Sequence, residues 1–145
     1  MNEDSYPELS VCLTIRSSDL QPEAVTTQLG LQPTRTWKAG EKRGSTRVVE
    51  RDSGWILRTP ARPALEFDDL VSEVLNEIEP RASELLELAK QPGMTVRLDC
   101  VGYVTATVPS IYFENGLLRR MGALGVDLDV DLFLTSAHVD TPPEA

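Results

Sequence analysis

The sequence predicts an α+β fold: a mainly antiparallel sheet with helices packed on one face. Three observations lead there. Segments of strict two-residue alternation stand near both ends of the chain and again near residue 95, and a stretch of helical periodicity fills 65–90. The two kinds of segment do not alternate regularly, as a doubly wound parallel sheet would require. The order reads strand, helix, two or three strands, helices, two strands, helix, strand. Because each end holds a strand followed by a helix and another strand, a duplicated ferredoxin-like unit is also open.

Residues 10–16 alternate Val11, Leu13 and Ile15 with Cys12, Thr14 and Arg16, the period of a strand with one buried face. A short helix follows over 22–29. Pro22 suits its first position, Leu20 and Val25 have hydrophobic-staple spacing, and Gly30 suits the left-handed residue that ends it. Pro33 leads into an extended piece at 34–37 and a loop with two glycines. Residues 46–51 have strand composition, and a turn at 51–54 enters another strand through Trp55, Ile56 and Leu57.

From Leu65, Phe67, Leu70, Val71, Val74, Leu75 and Ile78 recur at helical spacing with acids between them, so one face is apolar and the other negative. Pro80 opens a second helix over 81–90. Period two returns with Met94, Val96, Leu98 and Cys100 opposite Thr95, Arg97 and Asp99. A short strand is expected near 110–113, and then a helix capped by Asn115 and closed by Gly125. The alternating segment 126–134 is the last strand. The single domain is thus placed at 10–134, between a flexible start at 1–9 and a flexible tail at 135–145.

A chain of 145 residues buries enough surface to fold without disulfide or metal. Cys12 and Cys100 read as buried reduced thiols. The first ten residues are acidic, where a secretory signal needs a basic start and an apolar run, and no stretch approaches a membrane span. A cytoplasmic location is the expectation, with no membrane partner. The net charge of −9 opposes nucleic-acid binding. Residues 35–62 run against that balance with eight Lys or Arg against three acids.

No catalytic or metal-binding pattern emerges, and no cofactor is expected. The one histidine, His138, lies in the proline-containing tail, so a Ser-His-Asp or Cys-His apparatus would have to be assembled on the least ordered segment. Two isolated cysteines and one histidine lack zinc-ligand spacing. In 40–46 only three residues separate Gly40 from Gly44 and no Lys follows the second glycine, so it is not a phosphate-binding loop, although its amides could form an anion nest. Asp127, Asp129 and Asp131 share one face of the last strand. That row reads as a solvent-facing side of the sheet, with a cation site as the alternative; an EF-hand loop is excluded because Leu132 stands where its glycine would be. Trp55, inside an apolar strand, reads as core. Trp37, between Thr36 and Lys38, stands open between packing and an exposed interface role.

The segment LGLQPTRTWKAGE, the later GWIL and the closing ALGVDLDVDLF together resemble the bacterial family called domain of unknown function 4279. The matching positions are Gly30, Pro33, Thr34, Gly40, Glu41, Gly54 and Trp55, with Asp127, Asp129 and Asp131. The resemblance spans 10–134 and implies a small α+β bacterial protein with no catalytic residues to carry over.

The leading functional reading is a non-enzymatic protein-binding module. Its candidate surface is Arg35, Trp37, Lys38, Glu41, Lys42 and Arg43, or else the opposing acidic helix face. An immunity-type role, in which a small acidic protein blocks a basic toxin, is one version. The alternative is a sensor of a small anionic ligand through the basic 35–47 loop, and the third is an enzyme without a recognisable motif.

Overall fold

The structure, a computed structural model, describes residues 3–135. The tail from Ser136, with His138, lies outside the described residues. In chain order the elements are β1 (Glu8–Ser17), α1 (Pro22–Leu29), β2 (Arg35–Trp37), β3 (Ser53–Arg58), β4 (Arg62–Pro63), α2 (Asp68–Ile78), α3 (Ala82–Ala89), β5 (Thr95–Val104), α4 (Asn115–Ala123) and β6 (Asp127–Leu134). The main strand order is β2-β3-β1-β5-β6, with β4 pairing the start of β1. Every pairing is antiparallel except β5–β6. That parallel pair needs a crossover, and α4 supplies it.

The mainly antiparallel α+β sheet is therefore present, and the first helix occupies the expected 22–29. Pro22 sits in its first turn, and Gly30, at φ 67°, closes it by donating its N–H to the Thr26 carbonyl at 2.8 Å. The ferredoxin-like likeness rests on element order alone: the first strand–helix–strand run, β1-α1-β2, joins strands that β3 separates in the sheet, whereas the second, β5-α4-β6, joins parallel neighbours.

Three local expectations are corrected. Residues 46–51 form no strand. The 40–50 segment is a narrow hairpin with one bridge, Lys42 to Val49, and Val48 and Val49 are half exposed, so their strand composition meets no sheet partner. Residues 110–113 make a single bridge, Ser110 to Glu66. Asn115 is the first helical residue rather than the cap, which is Glu114 without a side-chain bond.

The helices cover one face of the sheet. Leu9, Val11, Leu13 and Ile15 of β1 are fully buried there against Leu70, Val74 and Ile78 of α2 and Val25 and Leu29 of α1. Trp55 joins them at 0% exposure, and its Nε1–H donates to Thr26 Oγ1 at 2.9 Å, which satisfies the indole and ties α1 to β3. Cys100 lies in this core and Cys12 on the opposite face, both free. Burial pushes the Cys100 thiol up to about 12.

The opposite face has a small core of its own, formed by Cys12, Trp37 and Ile56. Trp37 is only 8% exposed, which closes the question left open by its polar neighbours in sequence. Its indole lies against Gly54, the residue paired with it across β2–β3, and a Cβ on Gly54 would come within 2.0 Å of Trp37 Cζ2. We expect Gly54→Ala to cost about 1–3 kcal/mol through overpacking. In a Trp37→Ala background the same change should be neutral or stabilising, since alanine suits a strand better than glycine. Denaturant unfolding of the four chains followed by circular dichroism checks this, and additive effects would contradict the contact.

Candidate functional site

Strand register brings residues distant in sequence onto the face opposite the helices. Thr14 of β1 pairs with Ile56 and with Arg97, and Ile56 pairs with Arg35. Cys12 pairs with Arg58 and with Asp99, which pairs with Asp129. Paired residues point to the same side, so Arg16, Arg35, Arg58 and Arg97 share one face with Asp99, Asp129 and Asp131. The 40–50 hairpin leans over part of this face. Between them lies a hollow of about 280 Å³ lined by Trp37, Glu50, Asp99, Asp131 and five arginines, Arg16, Arg35, Arg43, Arg58 and Arg97. A second hollow of about 490 Å³ adjoins it and shares Arg35, Arg43 and Arg58.

The floor is a bonded network. Thr14 Oγ1 donates to Asp99 Oδ2 at 2.6 Å, and Arg97 Nε donates to Asp99 Oδ1 at 2.6 Å, so this buried carboxylate is neutralised and satisfied. In the hairpin, Arg43 grips Glu50 with both arms, Nε to Oε1 at 2.8 Å and Nη2 to Oε2 at 3.2 Å. The hydrogen bond from Arg43 holds the Glu50 carboxyl below its ordinary value. Trp37 carries a guanidinium toward its ring from each side of the site, Arg35 at 5.1 Å and Arg16 at 5.8 Å from the centroid. Its Nε1–H is buried without an acceptor among the described residues.

Charge on this face is unevenly matched. Arg16 has Asp52 at 3.6 Å, and Arg43 and Arg97 have the partners described, but Arg35 and Arg58 have no carboxylate within ion-pair distance among the described residues. On the β6 side the imbalance is negative. Burial first, then the charge of Asp129 beside it, raises the Asp131 carboxyl above its ordinary value. Among the described residues no group of three or more His, Cys, Asp or Glu side chains converges to hold a metal ion.

Of the surface expected from sequence, the structure brings together Arg35, Trp37 and Arg43. It separates off Lys38, Glu41 and Lys42, which line neither hollow; Lys38 instead faces Glu23 at 3.5 Å. Arg16, Arg58 and Arg97 were not anticipated as site residues. Arg16 and Arg97 fall on the polar side of their alternation, whereas Arg58 shares its side of β3 with Gly54 and Ile56, and only the register shows that these sides coincide. The acidic helix face is partly neutralised, with Glu73, Glu79, Glu84 and Glu87 paired to Arg62, Arg120, Arg81 and Lys90.

Because the folded Glu50 lies below the ordinary 4.5, its contribution to stability is whole above that value and is lost as pH falls through the folded value. Between about pH 7 and about pH 3 the melting temperature of Glu50→Gln should therefore fall less than that of the parent chain. Parallel melting curves would show that the Arg43–Glu50 grip contributes nothing.

No helix among the described residues is long and apolar enough to cross a membrane. No curated protein and no solved structure matches the chain. A family profile, Domain of unknown function (DUF4279), matches residues 7–135, from the start of β1 to the end of β6. The chain therefore belongs to the DUF4279 family.

Proposed function

We propose that the protein binds a small anionic ligand, a phosphate- or carboxylate-bearing molecule, on the open face of the sheet, without catalysing a reaction. The observation that carries this reading is that Arg35 and Arg58 face the same pair of hollows and neither has a carboxylate partner among the described residues. A guanidinium offers a planar fork that fits carboxylate and phosphate oxygens with two bonds. Arg35 is steadied by the Trp37 ring, so it loses less freedom on binding. The hollows are of the size that small-molecule sites occupy.

The chemistry of the floor supports binding over catalysis. Cys12, the one thiol on this face, is buried, and that burial raises its pKa, so it stays protonated at neutral pH. Asp99 is occupied by Thr14 and Arg97. The proposed site differs from the 35–47 loop that the sequence suggests in lying on the sheet, with Arg58 in place of Lys42. The acidic helix face is the weaker surface because four of its carboxylates already have cations beside them.

Orthophosphate, pyrophosphate and citrate, each at matched ionic strength, should be compared for their effect on the melting temperature. At least one should raise it in a saturable way, as a ligand that binds only the folded state must. Arg35→Ala with Arg58→Ala should abolish the rise, while Lys38→Ala with Lys42→Ala should keep it. A rise lost in the lysine pair and kept in the arginine pair, or no response to any of the three anions, would overturn this reading.

A further inference from the structure

The sheet has two very different edges. At one end β2 is three residues long. At the other, β6 runs for eight residues, Asp127–Leu134, with β5 on one side and, among the described residues, no strand on the other. The Thr135 N–H donates to the Val104 carbonyl at 2.8 Å, so the odd-numbered residues of β6 turn their backbone groups toward β5. Alternation then directs the N–H and C=O of Leu128, Val130, Leu132 and Leu134 to the free edge. Such an edge is a template for another strand.

The two faces of this edge specify what kind of strand fits. On the helix side, Leu128, Leu132 and Leu134 are 39%, 36% and 80% exposed, a row of apolar side chains left partly uncovered. On the open side stand Asp127, Asp129 and Asp131, none with a cation within ion-pair distance among the described residues. Burial first, and then Asp129, raise the Asp131 carboxyl, with Arg97 acting the other way. Arg97, the nearest arginine on β5, is already bonded to Asp99.

We infer that β6 is a docking edge for a partner protein's extended segment in which basic and apolar residues alternate. Added as a strand, that segment places its basic side chains opposite the aspartates and its apolar ones against the leucine row, with the backbone bonds of the even residues completed. A second copy of this chain is the poorer occupant, because pairing β6 with itself sets two aspartate rows beside one another. The chain's own sequence beyond Thr135 is no better, offering Asp140 and Glu144 and no Lys or Arg. The edge shares one residue with the anion site, Asp131, which lines the smaller hollow, while the leucine row of β6 lines neither hollow.

The test uses the full chain and a labelled synthetic peptide in which arginine and valine alternate over eight residues. Fluorescence anisotropy should show saturable binding, and hydrogen exchange should slow at the amides of Leu128, Val130, Leu132 and Leu134 in its presence. N-methylation of alternate peptide amides, which keeps composition and charge, should weaken binding at least tenfold, as should Asp129→Asn with Asp131→Asn in the protein. Equal binding of the methylated peptide would overturn the inference by reducing the contact to charge attraction. So would sedimentation of the protein alone as a dimer with those four amides already protected, which would give the edge to a second copy.

Discussion

The structure depends on β1 being buried on both sides while helices cover only one. Leu9, Val11, Leu13 and Ile15 meet the helices, and Ser10, Cys12 and Thr14 on the other side are also buried. No helix among the described residues lies over that second side. What covers it is a tryptophan laid across a glycine, with a hairpin and a set of charged pairs around it. The contact between Trp37 and Gly54 is the centre of that cover, since the ring reaches the strand only where a side chain is missing.

A sheet face covered by one aromatic ring and a short hairpin cannot be filled by hydrocarbon alone. The remaining positions are polar, and a buried polar group must be paired. Asp99 with Thr14 and Arg97, and Glu50 with Arg43, meet that condition. Arginine suits the role because its guanidinium can lie over the indole and still keep five donors, as Arg16 and Arg35 do at Trp37. Arginines exceed carboxylates near β2 and β3, and carboxylates exceed arginines at β6. The surplus at each end is what a ligand or a partner can meet, so fold and candidate site are built from the same face.

Much of the architecture was legible from period alone. The strands at β1, β5 and β6 and the helix at α2 alternate or repeat cleanly because each has one apolar and one polar side, and α1 carries its own stop signals in Pro22 and Gly30. Family motif positions have physical roles of the same local kind: Gly30 and Gly40 adopt positive φ, and Trp55 fills the core. Val48 and Val49 misled because strand composition cannot say whether a partner strand exists. Trp37 was undecidable because its burial depends on Gly54, seventeen positions on, and on a register that no local window contains. For the same reason the sequence points to a run of cations in one loop, whereas the hollow that holds Arg35 and Arg58 draws on five strands and a hairpin.

The two tryptophans lie on opposite faces, and their indole N–H groups report on those faces separately. The most direct measurement is a proton–nitrogen correlation spectrum of the full chain titrated with pyrophosphate. The account predicts saturable shifts of the Trp37 Nε1–H and of the Arg35 and Arg58 Nε–H signals, with the Trp55 Nε1–H, held by Thr26 on the helix side, unmoved. Movement of the Trp55 signal with Trp37 unchanged, or binding that disturbs neither arginine, would contradict a site on the open face of the sheet.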